Sequence, residues 1–83
     1  MSRPVKIAKE NEIKYIQLGL NIAYYRKLAG YTQEQLAEES GLSRVHISAI
    51  EAPNVVKSLS LETLFRLAKA LRVEPYQLLK FPE

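Results

Sequence analysis

Apolar residues recur at intervals of three and four along most of the chain, which is the spacing of an α-helix, and turn-forming residues interrupt this pattern. The first such stretch runs from about Glu12 to Ala29 and ends at Gly30, because glycine adopts the left-handed conformation in which a chain leaves a helix. One stripe of this first helix is expected to be buried: Leu18, Ile22, Tyr25 and Ala29. The pattern therefore predicts a long first helix that packs on a core through one face.

Two short helices are predicted next, joined at a glycine. Thr32 is the expected N-cap of the second helix, with Gln35 returning the hydrogen bond in a capping box, and Gly41 ends this helix. Ser43 is the expected cap of a third helix that runs to about Glu51. The residues expected to cover the core from this pair are Leu36, Ala37, Leu42, Ile47 and Ile50. The opposite side of the third helix has few reasons to be buried.

A loop over residues 53–59 separates this pair from two further helices. Ser60 is the expected cap of the fourth helix, and Pro75 occupies the first turn of a short fifth helix. The leucines of the fourth helix are expected in the core: Leu61, Leu64, Leu67 and Leu71. Because 83 residues suffice for one small core, the pattern predicts a single all-α domain over residues 12–83, preceded by a basic arm over residues 1–11.

Composition excludes several classes of function. The chain has no cysteine and one histidine, so neither a disulfide framework nor a zinc site of the usual kind is expected, and no other cofactor is indicated. No stretch approaches the roughly 18 apolar residues of a membrane span, and the N-terminus does not resemble a signal peptide, which predicts a cytoplasmic protein without a membrane partner. No nucleophile–base pair, carboxylate pair or phosphate loop is present, so the chain is not expected to be an enzyme.

Four segments together resemble the Cro/repressor-type (XRE-like) helix-turn-helix domain of bacterial and phage regulators. They are LG..I..YR at 18–26, G.TQEQLA at 30–37, SGLSRVHISAIE at 40–51 and SLETLFRLAKAL at 60–71. The resemblance covers roughly residues 18–80. It implies a compact five-helix, lambda-repressor-like DNA-binding domain, in which the second and third helices form the helix-turn-helix over about residues 32–51.

The resemblance also implies which residues contact DNA. The third helix would read bases in the major groove, and flanking positions would contact the phosphate backbone. The base-reading positions are Arg44, Val45, His46 and Ala49, with Ser43 and Ser48 adjoining, and the backbone positions are Gln33, Asn54 and Lys57. Chemically, Arg44 is able to donate two parallel hydrogen bonds to guanine, and Val45 to contact a thymine methyl group. The alternatives are a solvated Arg44, a His46 packed on the second helix, and a protein interface formed by Val45 and Ala49.

Two further features of the resemblance concern structure. The family commonly pairs an arginine of the first helix with the glutamate that ends the third, which here implies a structural ion pair between Arg26 and Glu51; the alternative is two exposed charges. The loop after Glu51 lacks the glycine that the family often has. Asn54, which tolerates a positive φ, is expected to take its place.

The charge distribution is unusual for a polyanion-binding motif. Residues 31–51 carry one arginine and four glutamates, for −3, whereas residues 1–30 carry +4 and residues 52–83 carry +2. The acids of the second helix are expected to point away from the phosphates or to favour the positive end of that helix. Phosphate contacts would then depend on Arg3, Lys6, Lys9, Lys14 and Lys57. So few cations predict a shallow salt dependence per subunit.

A monomer of this size would read too few base pairs for useful specificity, so a homodimer on a palindromic operator is expected, with recognition helices about 34 Å apart. Either of two apolar sets could form its contact. One is Ile13, Ile16, Leu20 and Tyr24 on the first helix, and the other is Tyr76, Leu79 and Phe81 near the C-terminus. The sequence thus predicts a transcription regulator similar to phage Cro-like repressors and restriction-modification controller proteins. The alternative is an antitoxin or adaptor that binds a protein partner, such as a toxin or an anti-repressor, through the same fold.

Overall fold

The computed structural model describes residues 6–82, which form five α-helices and one short 3-10 helix and no strand in that range. The α-helices are α1 (Glu12–Leu28), α2 (Gln33–Ser40), α3 (Arg44–Glu51), α4 (Leu61–Leu71) and α5 (Pro75–Leu78). The predicted all-α, five-helix fold is confirmed. Of the predicted basic arm, residues 1–5 with Arg3 lie outside the described residues, and the 3-10 helix Lys9–Asn11 leads directly into α1.

Local hydrogen bonds set the ends of the first helices. At the end of α1, Gly30 has φ +79°, and the amides of Gly30 and Tyr31 donate to the carbonyls of Lys27 and Arg26. This is the Schellman arrangement, and it needs a left-handed residue where glycine stands. At the start of α2, the Thr32 hydroxyl accepts from the Gln35 amide at 3.1 Å, and the Gln35 side chain accepts from the Thr32 amide at 2.8 Å. Both signals predicted from the sequence are therefore formed.

Every helix contributes to one core. The largest fully buried side chains come one from each α-helix: Ile22, Leu36, Ile47, Leu67 and Leu78. Helix α2 packs against both α3 and α4, and α1 packs against α3. At the α1–α3 contact the backbones approach so closely that a Cβ on Gly19 would collide with the carbonyl of Ile50. Helices α2 and α3, which flank the turn, are thus held against α4 and α1 respectively.

The structure corrects three sequence-based expectations. Leu61 is 67% exposed, because it is the first residue of α4 and projects beyond the packed part of the helix, whereas the other three leucines of that stripe are buried. Ala29 is exposed, since it is the C-cap of α1, and Tyr25 is only partly buried. Asn54 does not have a positive φ; the left-handed residue other than glycine in the described range is Arg72.

Candidate nucleic-acid interface

Helix α3 has two sharply different sides. Ile47, Ile50 and Glu51 are buried against the rest of the domain. On the other side the N-cap and the first turn are exposed, with Val45 reaching 75% exposure. The exposed residues of this outer strip are Ser43, Arg44, Val45 and Ser48, and His46 and Ala49 at its edge are partly buried. The four positions suggested for base reading and the two adjoining serines therefore lie together on one accessible surface.

The turn between α2 and α3 explains why this strip faces outward. Gly41 adopts φ +73°, and the amides of Gly41 and Leu42 both donate to the carbonyl of Ala37, at 3.0 and 3.2 Å. Leu42 then packs on the core, and the Ser43 hydroxyl accepts from the His46 amide at 3.0 Å to begin α3. Because these contacts fix both the end of α2 and the start of α3, the first turn of α3 is presented on an ordered backbone.

The far end of α3 is held by a buried ion pair. Arg26 donates to Glu51 through two nitrogens, Nε to Oε2 at 2.8 Å and NH2 to Oε1 at 2.9 Å, and its NH1 donates to the carbonyl of Tyr31 at 2.8 Å. The side chains are only 11% and 6% exposed. The alternative of two exposed charges does not describe this pair. It joins the last residue of α3 to α1 and to the segment before α2.

Arg26 is positively charged at neutral pH. The hydrogen bond with Glu51 raises the pKa of Arg26, against the lowering effect of burial. A raised pKa in the folded state adds stability that is fully present below the ordinary pKa of arginine and is lost only as the pH rises through the folded value. The Arg26 guanidinium therefore contributes no pH dependence to folding near neutrality.

Gln33, which the resemblance assigns to a phosphate contact, stands at the start of α2 as expected and also makes a contact within the domain. Its Nε2 donates to Glu51 Oε1 at 3.1 Å, and the residue is partly buried. The side chain thus extends the Arg26–Glu51 contact to the first residue of α2, with one amide hydrogen left for another acceptor. This structural role was missed from the sequence. Gln33 and Glu51 are 18 positions apart on different helices, so neither periodicity nor capping chemistry relates them.

The loop after α3 presents the two remaining predicted positions. Asn54 and Lys57 are both exposed. A turn closes the loop, with the Val55 amide donating to the Ala52 carbonyl at 3.2 Å and Pro53 in the second position, which proline favours. Since Asn54 keeps a negative φ, this turn requires neither glycine nor a left-handed residue, which is why the family's glycine is dispensable here.

The glutamates of α2 are all exposed to solvent, and one of them has cationic neighbours. Glu39 borders a groove between α2 and α4 that is also lined by Arg66, Lys69 and Arg72.

Within residues 6–82 no cluster of histidine, aspartate and glutamate is arranged to hold a metal ion. Among the described residues, no helix has both the length and the apolar character that a membrane crossing requires.

The helix-turn-helix family model HTH_3 matches residues 22–78, well over half of the chain. The chain belongs to the XRE-type helix-turn-helix family. The resemblance inferred from the four sequence segments is thus confirmed, and this helix-turn-helix protein is a member of a family of DNA-binding transcription regulators.

Similar proteins agree with this assignment. The helix-turn-helix protein is 43% identical over 68 residues to the control protein C.SmaI of Serratia marcescens, covering 82% of this chain and 77% of the relative. It is 31% identical over 83 residues to a hypothetical transcription factor of Neisseria meningitidis serogroup B, covering all of this chain and 76% of the relative.

Solved structures with the same fold are also similar. The restriction-modification controller protein C.AhdI from Aeromonas hydrophila superposes with a TM-score of 0.74 at 32% identity, covering 80% of this chain and 97% of that one. The hypothetical transcription factor NHTF from Neisseria has a TM-score of 0.74 at 32% identity, covering 98% of this chain and 90% of that one. These relatives and structural neighbours are described as hypothetical transcription factors or as control proteins.

Proposed function

We propose that this protein binds double-stranded DNA sequence-specifically, with α3 in the major groove, and regulates transcription as a homodimer. The observation that supports this function best is the outer strip of α3, which is exposed while the opposite side of the same helix is buried and its end is held by Arg26 and Glu51. A helix that reads base edges in the major groove needs such a fixed and unobstructed face.

Each position of the strip has a role suited to its chemistry. Arg44, in the first turn of α3, donates to O6 and N7 of a guanine, and Val45 contacts a thymine methyl group. Ser48 and Ala49 are small enough for the helix to approach the base edges closely. His46 lies at the edge of the strip, where its ring is within reach of a base or a phosphate.

The backbone contacts come from residues around the strip. Lys57 and Asn54 are exposed in the loop that follows α3, and at the start of α2 the second amide hydrogen of Gln33 remains for a phosphate oxygen. A Gln33 that is already bonded to Glu51 is positioned before DNA arrives. Its phosphate contact then loses little side-chain entropy on binding.

The dimer contact is best assigned to the C-terminal set. Tyr76 and Leu79 are 67% and 47% exposed, about as much as the apolar stripe on α1, so the position of each set decides between them. The competing stripe on α1 includes Leu20, which borders the same cleft as Gln33 and Ser48. A subunit docked there would crowd the DNA-binding surface, whereas the C-terminal set leaves it open.

The controller proteins among the similar sequences and structures suggest the biological setting. C.AhdI is a restriction-modification controller protein and C.SmaI is a control protein. We infer a corresponding role for this chain, in which the operator lies upstream of its own gene and the neighbouring genes encode the system that it controls.

Selection of bound sequences from random duplex DNA tests the assignment of α3. The wild type is expected to select a palindrome, and Arg44→Ala to lose its preference at one base pair per half-site at a cost of about 1 to 3 kcal/mol. Lys57→Ala is the matched control: it removes the same charge but is expected to weaken all sequences about equally. Uniform weakening by Arg44→Ala would reassign that residue to phosphate. If no duplex is bound at any modest salt concentration, the adaptor alternative replaces this proposal.

Sedimentation equilibrium tests the dimer contact. Leu79→Lys is expected to shift the protein towards monomer, because a lysine in an apolar contact must be desolvated without a partner. Leu20→Lys introduces the same change on α1 and is expected to leave the mass unchanged. The opposite pattern would move the contact to the α1 stripe.

A further inference from the structure

A second concave surface lies between α2 and α4 and shares no residue with the outer strip of α3. This groove has a volume of about 370 Å³, within the range of small-molecule sites. Three cations line it, Arg66, Lys69 and Arg72, and Tyr31 and Glu39 line its other side. Helix α2 packs against both α3 and α4, and the groove is lined by residues of α2, of α4 and of the segments that flank them.

The backbone of Arg72 is the observation that sets this groove apart. Arg72 ends α4 in the left-handed conformation, at φ 59° and ψ 41°, with its amide donating to Lys69 and that of Val73 donating to Ala68. The same turn ends α1 and α2, where the chain has Gly30 and Gly41. A residue with a Cβ is strained in this conformation, so a glycine would be the less costly choice here as well. The arginine adds a third cation to the groove in spite of that strain.

The helix dipole favours a cation at this end of α4 but does not require one at the left-handed position. Cations anywhere in the last turn of a helix are stabilised by its negative end, and Lys69 already satisfies that preference. Arg66 is held by one exposed ion pair. Its Nε donates to Glu62 at 2.8 Å, but the two side chains are 50% and 70% exposed. Because such an exposed pair contributes little stability, another anion can replace Glu62 as the partner of Arg66 at little cost.

We propose that the groove binds a compact polyphosphate, either free or as part of a nucleotide. The three cations recur at intervals of three residues along α4 and so span about 9 Å of its axis, which suits a short run of phosphates. A guanidinium group binds phosphate oxygens through two parallel hydrogen bonds. The aromatic side chain of Tyr31 in the lining is suited to stack on the base of a nucleotide. Glu39 lines the side opposite the cations and repels anions, so the phosphates would lie against α4, and a short ligand is favoured over a long polyanion such as duplex DNA.

The groove adjoins the structure that holds α3. The carbonyl of Tyr31 accepts from Arg26, which in turn binds Glu51 at the end of α3. A ligand in the groove would therefore contact a residue that also anchors the DNA-reading helix. The site itself does not depend on DNA binding and can be tested without DNA.

Amide chemical shifts of the full chain, titrated with inorganic tripolyphosphate and separately with ATP near physiological salt, test the proposal. Saturable shifts are expected around Tyr31, Gly41 and Arg72. Arg72→Gly keeps the left-handed turn without strain, so the fold is retained, and it is expected to weaken binding about tenfold or more. Lys80→Gln removes the same charge from an exposed position outside the groove and is expected to change binding by less than about twofold.

The two ligands distinguish the sources of the phosphate. Similar affinities would identify the phosphate chain alone as the ligand, and tighter binding of ATP would identify a nucleotide that uses Tyr31. The proposal is overturned if neither probe saturates by roughly 10 mM, if the shifts fall only on α3 and its flanking loop, or if both variants weaken binding equally.

Discussion

Replacing Glu51 with leucine removes the acceptor at the centre of the contact between α1, α2 and α3. Arg26 loses two of its three hydrogen bonds while remaining 11% exposed, and the amide of Gln33 loses its partner. Stranding a buried charge in this way costs about 3 to 5 kcal/mol. At about 0.05 to 0.15 kcal/mol per residue, a domain of this length has roughly 4 to 12 kcal/mol in total. Glu51→Leu is therefore expected to remove a quarter or more of the free energy of unfolding.

Urea unfolding followed by circular dichroism, at one fixed protein concentration, measures this loss. Glu62→Leu is the matched control, because it breaks an ion pair whose side chains are 70% and 50% exposed, and it is expected to cost less than about 1 kcal/mol. The double variant Arg26→Met with Glu51→Leu strands no charge and is expected to recover most of the loss. If Glu51→Leu costs no more than Glu62→Leu, the pair does not hold α3 as argued here.

Three further experiments test the helix contacts, the burial of the α4 leucines and the number of phosphate contacts. Gly19→Ala is expected to cost about 1 to 3 kcal/mol in urea unfolding and to weaken DNA binding, because the added Cβ pushes α3 away from α1. Gly30→Ala is the control, since a Cβ at that position would meet no atom within 4 Å. It should cost about 1 to 2 kcal/mol through its positive φ alone and leave DNA binding unchanged. Leu67→Ala is expected to cost about 2 to 5 kcal/mol, and Leu61→Ala, at 67% exposure, far less; equal losses would contradict the burial described above. The slope of log affinity against log salt is expected to be no steeper than about −5 per subunit, since about five cations are available for phosphates, and a steeper slope would require further contacts.

Helix ends were predictable because they depend on residues close in the chain. The Thr32–Gln35 capping box, the Ser43 cap and the left-handed Gly30 and Gly41 all involve hydrogen bonds that span at most five residues. Such contacts form in any context that permits the helix, so residue type and spacing suffice to indicate them.

Burial at the helix ends was less predictable. Leu61 and Ala29 fit their helical stripes as well as their buried neighbours do, but both stand at a terminus where no other helix reaches them. Asn54 was expected at a positive φ because the loop lacks glycine, whereas Pro53 closes the turn with ordinary φ values. In each case the outcome depended on neighbours that a local pattern does not contain.

By itself, the sequence determined the number of helices, where each begins and ends, and the family to which the chain belongs, because caps, glycine stops and apolar periodicity operate within a few residues. Only the tertiary structure decided that Gln33 binds Glu51, that Leu20 borders the same cleft as Gln33 and Ser48, and that Arg72 joins Arg66 and Lys69 beside Tyr31. These relations join residues on different helices. They exist only after the core has formed and has set the position of each helix relative to the others.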